Sequence, residues 1–81
     1  MQLNLYTTQG CHLCETALQL LEQARSAGYD LHIREIEIAD SATLMEKYGV
    51  RIPVVTRDDA TRELGWPFGY EELLQFITTR E

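Results

Sequence analysis

The chain has 81 residues, with 7 Lys plus Arg against 13 Asp plus Glu, a formal charge of −6, and 44% hydrophobic residues. That length admits one small domain, able to bury about 60% of the surface its unfolded form exposes. The charge balance excludes a nucleic-acid binder, which needs a positive footprint against phosphates. No apolar run approaches the ~20 residues of a membrane span.

Met1 to Thr7 alternates, with Leu3, Leu5 and Thr7 on one side and Gln2, Asn4 and Tyr6 on the other, which is the period of a strand. Gln9-Gly10 breaks it. Leu13, Ala17, Leu20, Leu21, Ala24 and Ala27 then recur at three- and four-residue spacing, so a helix with one apolar face is expected from about Cys11 to Ala27. Gly28 is its stop, because a glycine takes the left-handed conformation without a Cβ clash. Leu31 to Ile38 reads as a second strand whose alternation slips phase. Either both faces are partly covered, or a bulge sits near Arg34-Glu35.

Asp40 offers a side-chain oxygen as N-cap of a second helix through Leu44, Met45 and Tyr48, closed by Gly49. Pro53 to Thr56 is a third strand, Asp58-Asp59-Ala60 a turn, and Thr61 to Leu64 a fourth strand. A last helix runs from about Gly69 to Thr79 with Tyr70, Leu73, Leu74 and Ile77 inward. The order is βαβαββα. Its strand–helix–strand opening implies a parallel pair joined by a right-handed crossover, and the later hairpin adds two antiparallel strands. Nothing reads as a linker, so residues 1–81 form a single α/β domain.

Gly10-Cys11-His12-Leu13-Cys14 is the strongest chemical signal. Two cysteines at this spacing can close a disulfide within one helical turn, and a strand-to-helix junction is the context in which Cys-x-x-Cys reads as redox-active. Cys11 falls at the helix mouth, where unpaired N–H groups and the positive dipole end stabilise a thiolate. Cys14 is one turn in, on the side of Leu18 and Leu21, placed to resolve a mixed disulfide.

A thiol of pKa about 8.5 is ~3% ionised at pH 7 and one of about 6 is ~90% ionised. Intrinsic nucleophilicity falls by roughly 10- to 18-fold over that shift, so the net gain in attack is only about two- to three-fold. The larger benefit is a good leaving group. His12, between the cysteines, is the candidate that stabilises the Cys11 thiolate or donates a proton to the departing sulfur. A zinc site is disfavoured: it wants four N/S ligands, and His32 belongs to a separate strand.

Tyr6-Thr7-Thr8-Gln9-Gly10-Cys11-x-x-Cys14 followed by a helix resembles the start of a glutaredoxin. Lys47-Tyr48-Gly49-Val50-Arg51-Ile52-Pro53-Val54-Val55 resembles that family's cis-proline segment. Gly10-Cys11-His12-Leu13-Cys14-Glu15 and Gly65-Trp66-Pro67-Phe68 are similar to a little-characterised glutaredoxin-like family of thioredoxin-fold proteins. The resemblance covers nearly the whole chain. It implies a thioredoxin-like mixed four-stranded sheet of order 2-1-3-4 flanked by three helices, and thiol–disulfide oxidoreductase chemistry.

It also implies a cis Pro53 facing the cysteines, with the backbone of Ile52 left free to pair with a substrate strand. Two glutathione contacts of glutaredoxins are replaced here. Thr8 stands where a Lys or Arg is usual, and Gly65-Trp66-Pro67-Phe68-Gly69-Tyr70-Glu71 stands where a Gly-Gly-x-x-Asp turn is usual. Arg51 is the candidate substitute cation. Trp66 and Phe68 either plug the gap below the last helix or form a lip beside the thiols. Glu35, Glu37, Asp58 and Asp59 read as solvated charges.

The expected activity is dithiol reduction of a protein disulfide or a glutathione mixed disulfide, Cys11 attacking and Cys14 resolving. Thr8, Arg51, Ile52 and Pro53 would bind substrate. No bound cofactor or metal is expected, and electrons would come from glutathione or a thioredoxin-reductase-type donor. Three readings compete: monothiol deglutathionylation needing only Cys11, a glutathione-linked iron–sulfur or metal carrier, and a redox-inert adaptor. Met1 to Tyr6 has no basic segment or long apolar core, so a cytoplasmic protein without a leader is expected, with monomer as the default state. In such a reducing compartment a permanent structural disulfide is disfavoured.

Overall fold

The structure is a computed structural model, and it describes residues 1–59 and 62–79. In chain order the elements are β1 (Gln2–Thr7), α1 (His12–Ser26), β2 (His32–Glu37), a 3-10 turn (Ile38–Asp40), α2 (Ala42–Tyr48), β3 (Val54–Arg57), β4 (Glu63–Gly65) and α3 (Tyr70–Thr78). They form a four-stranded sheet of order β2-β1-β3-β4. β1 and β2 are parallel, whereas β1–β3 and β3–β4 are antiparallel.

The central strand divides the core. Leu3 and Leu5 of β1 and Val55 of β3 point to one face, where Ala17, Leu21 and Ala24 of α1 and Leu73, Phe76 and Ile77 of α3 close over them. Tyr6 and Val54 point to the other face, against Ile38 and Tyr48. α1 and α3 therefore cover one side of the sheet and α2 covers the other. Each fully buried leucine contributes about 1.5–3 kcal/mol.

On the α2 side the polar Asn4 is buried. Its Oδ1 accepts from Arg34 Nε and Nη2 at 3.1 and 3.0 Å, while its Nδ2 donates to Asp58 at 2.7 Å and Thr56 at 3.2 Å. Four satisfied bonds offset the desolvation of an amide in the central strand.

The slipped phase of β2 is explained by coverage of both faces. Its pairing with β1 is unbroken from Gln2↔His32 to Thr7↔Glu37, so no bulge occurs at Arg34-Glu35. Leu31 and Ile33 join the larger core, and Ile38 joins the smaller one.

α1 ends as expected. Gly28 has φ +110°, its N–H donates to Arg25 O, and Tyr29 N–H donates to Ala24 O. This is a Schellman motif, which satisfies two terminal carbonyls. Leu13 and Ala27 fall outside the buried face, because the buried stripe runs through Cys14, Ala17, Leu21 and Ala24.

Other expectations need correction. The N-cap of α2 is Ser41, whose Oγ accepts from Leu44 N–H, rather than Asp40, which is taken up in the 3-10 turn. In α3 the buried residues are Leu73, Phe76 and Ile77; Tyr70 and Leu74 are half-buried, so the inner stripe is centred closer to Phe76 than the sequence suggested. β3 begins at Val54, one residue after Pro53. β4 spans Glu63–Gly65, while the turn residue Ala60 and the expected strand start Thr61 lie outside the described residues.

Candidate active site

The loop after β1 sets the first cysteine at a helix mouth. Cys11 N–H donates to Thr8 O at 3.3 Å, and Gly10 makes the turn with φ +78°, a conformation that strains any residue with a Cβ. Cys11 is thereby the N-cap of α1 and not its first helical residue. Its backbone is extended, its carbonyl accepts from Glu15 N–H, and its Sγ accepts from Cys14 N–H at 3.2 Å. The sulfur takes the role that a Ser or Asp oxygen usually plays at a cap.

Cys11 and Cys14 form a disulfide with a Cα–Cα distance of 5.2 Å, within the ordinary range. Burial separates the two sulfurs. Cys14 is 3% exposed, packed on the inner side of α1, whereas Cys11 is only partly buried.

His12 is not among the residues lining the groove beside the disulfide. Its side chain is 94% exposed, and its Nδ1 lies 3.6 Å from Glu15 Oε2. His32 is farther still: it pairs with Gln2 at the opposite end of β1 from Cys11, so the cysteines and the two histidines do not converge. Among the described residues no group of three or more His, Cys, Asp or Glu is placed to hold a metal ion.

A groove of about 340 Å³ runs beside the disulfide between the Thr7–Cys11 loop, Leu18 of α1 and the end of β2. Its charged lining residues are Glu15, Glu35 and Glu37. Glu37 is no freely solvated charge. Its Oε1 accepts from Ala39 N–H at 2.9 Å, its Oε2 accepts from Gln9 N–H at 3.1 Å, and it is bonded to the Thr8 side chain. The Ala39 amide foremost, then the Thr8 and Gln9 bonds, hold this carboxyl below its ordinary range. Thr8, expected to meet substrate, is thus tied to Glu37. Sequence reading missed this clasp, although parallel pairing sets Glu37 opposite Thr7 and brings the end of β2 beside the cysteine loop.

The second expected site segment leaves the same end of the sheet. Tyr6 pairs with Val54, so one further step sets Thr7 across from Pro53. The Ile52–Pro53 bond is cis. Pro53 is fully buried, and its carbonyl accepts from Trp66 N–H at 3.1 Å.

Both groups expected to meet substrate in this loop have partners within the protein. Ile52 N–H is not free for a substrate strand, because it donates to Tyr48 O at 3.1 Å. Arg51 is not a spare cation: its Nη2 donates to Glu63 Oε1 at 2.7 Å, and its guanidinium lies 5.3 Å from the Tyr48 ring centroid. Tyr48 completes the clasp. Its hydroxyl donates to Glu63 Oε2 at 2.6 Å, its ring stacks on Tyr6 at 4.4 Å, and its carbonyl accepts from both Arg51 and Ile52. Burial first, then the bond to Glu63, push the Tyr48 phenol well above its usual range.

The Gly65–Gly69 turn adds a second cis bond, Trp66–Pro67, which the sequence reading did not anticipate. Trp66 meets Phe68 edge-on at 5.1 Å. Phe68 is buried in the larger core and Trp66 packs against it, so this pair plugs the fold. Asp58 and Asp59, read as solvated, are bonded to Asn4 and Arg57 respectively.

The model of a glutaredoxin-like domain (DUF836) matches residues 2–78. No functionally curated protein matches the chain. The X-ray structure of structural genomics target protein XcR50 from X. campestris is 43% identical, with 93% of each chain covered and a TM-score of 0.79. The solution structure of the same target is 40% identical, covering 95% of this chain and 92% of that one, with a TM-score of 0.71. Thioredoxin 1 from Thermosipho africanus is 16% identical over 95% of this chain and 90% of its own, with a TM-score of 0.63. That last likeness concerns the fold alone, and the fold is thioredoxin-like. Among the described residues no helix is long and apolar enough to cross a membrane.

Proposed function

Because this chain belongs to the glutaredoxin-like domain family, we propose that it is a thiol–disulfide oxidoreductase working through both cysteines. The observation that carries this reading is the asymmetry of the Cys11–Cys14 disulfide, one sulfur reachable at a helix mouth and the other buried beneath it.

In the reduced protein the Cys11 thiolate attacks one sulfur of a substrate disulfide. The substrate S–S bond breaks, its other half leaves as a thiolate that takes a proton from solvent, and a mixed disulfide forms at Cys11. Cys14 then loses its proton and attacks the Cys11 sulfur. The second half of the substrate departs, and the intramolecular disulfide closes. Two electrons have passed from the protein to the substrate, and an external thiol donor returns them.

The Cys14 N–H that caps Cys11 and the dipole of α1 favour the thiolate at each stage where Cys11 leaves. His12 takes no direct part, its exposed side chain lying beside Glu15. Pro53 precedes β3 at the end of the sheet that carries the Cys11 loop, and pairing of a client strand at Ile52 falls to its carbonyl. We place the protein in the cytoplasm as a monomer that meets a disulfide-bearing client and a reductase.

Substitution tests the scheme. Reduction of insulin should vanish in Cys11→Ser, and Cys14→Ser should accumulate a mixed disulfide at Cys11. Running the assay with thioredoxin reductase and, separately, with glutathione and its reductase identifies the donor. Full activity in Cys11→Ser, or a Cys11 thiol titrating no lower than the free value of about 8.5, overturns the proposal.

A further inference from the structure

We infer that the groove beside Cys11 selects protein disulfides flanked by Lys or Arg and disfavours anionic ones. The inference rests on the exchange reaction proposed above and names its substrate class. The carboxylates do not create the site, which is the reachable sulfur of the disulfide; they decide which partners approach it.

Glu15, Glu35 and Glu37 line the groove, and none of its lining residues is Lys or Arg. Glu37 cannot swing out of the way, because its two oxygens are held by the Ala39 and Gln9 amides. Arg51, which leaves the same end of the sheet, is bonded to Glu63, and Lys47 lies 3.9 Å from that same carboxylate. His12 sits outside the groove against Glu15. A substrate carboxylate beside the scissile sulfur would therefore enter a field of its own sign. An ammonium or guanidinium there would meet up to three acceptors without displacing any bond that holds the loop.

An exposed carboxylate–cation pair shifts an equilibrium by about two-fold, so three together give a preference of about eight-fold. Above 1 M salt the screening length falls to about 3 Å and the preference should collapse.

The test uses the full chain, pre-reduced, in single turnover. Three cystine peptides share one backbone and flank the cysteine with Lys, Gln or Glu. Each turnover oxidises Cys11 and Cys14 to the disulfide and releases two peptide thiols, counted after acid quench and alkylation. Rates are divided by those of the same peptides with dithiothreitol, which removes their intrinsic reactivity.

The Lys peptide should react about eight-fold faster than the Gln peptide at low ionic strength, and the Glu peptide slower than both. In Glu15→Gln/Glu35→Gln the Lys-to-Gln ratio should drop to about two. Glu22→Gln removes a carboxylate about 10 Å beyond Glu15 along α1 and outside the groove lining, and should leave the ratio unchanged. Equal rates for the three peptides, or a ratio that survives both the double substitution and 1 M salt, overturn the inference while leaving the exchange reaction standing. A Gln peptide that releases no thiol overturns the exchange reaction itself.

Discussion

Tyr48→Phe removes one oxygen from the clasp that ties the cis-proline loop to β4. The ring stacked on Tyr6 and the two backbone bonds to the Tyr48 carbonyl remain, so the substitution isolates the hydroxyl–Glu63 bond of 2.6 Å. A hydrogen bond to a charged acceptor contributes about 1.5–3 kcal/mol. The Glu63 side chain is 27% exposed and keeps its bond to Arg51, which places the loss near the lower bound, about 1.5 kcal/mol. For a domain of this size that lowers Tm by about 6–12 °C.

The pH dependence has a definite sign. The Tyr48 hydroxyl, then Arg51, hold the Glu63 carboxyl below its ordinary 4.5 in the folded state. A depressed carboxyl stabilises the fold above its unfolded value and loses that contribution as pH falls through the folded one. Urea unfolding should therefore show the full deficit of Tyr48→Phe at pH 7 and a smaller one at pH 3. Combining Tyr48→Phe with Glu63→Gln should give a coupling energy of about 1 kcal/mol or more. A deficit under about 0.5 kcal/mol at pH 7, or one equally large at pH 3, would refute the assignment of this bond as a charge-assisted tie.

Three further outcomes follow from other buried or bridging groups. Asn4→Ala strips the bonds to Arg34, Thr56 and Asp58 and should cost about 1–3 kcal/mol in urea unfolding; a cost within 0.5 kcal/mol, about the scatter of surface changes, would mean the network is idle. Arg57 Nη1 donates to Phe76 O and Thr79 O at 2.7 Å each, so Arg57→Met should speed amide exchange in the last turn of α3 and lower stability by about 2 kcal/mol. Because Glu37 bridges two loops, the Gln9 and Ala39 amide resonances should titrate together, with one midpoint below 4.5; separate midpoints contradict the bridge.

Periodicity and punctuation made much of this protein legible. A period-two run, a 3.6-period run and Gly28 define β1, α1 and their junction, because each pattern has one way to bury its apolar side. The Cys-x-x-Cys spacing needs only helical geometry to place one sulfur at the mouth and the other a turn inward. The parallel pairing of β1 with β2 also followed, since a strand–helix–strand opening closes as a right-handed parallel pair, whereas the order β2-β1-β3-β4 was implied by the resemblance to glutaredoxins. The fates of the polar residues were not legible. Whether Thr8 and Arg51 met solvent or a carboxylate depended on Glu37 and Glu63, which lie 29 and 12 residues away in sequence and arrive through sheet pairing. A charge announces its sign in the sequence, but its partner is a matter of distance, and distance between remote residues exists only once the sheet has formed.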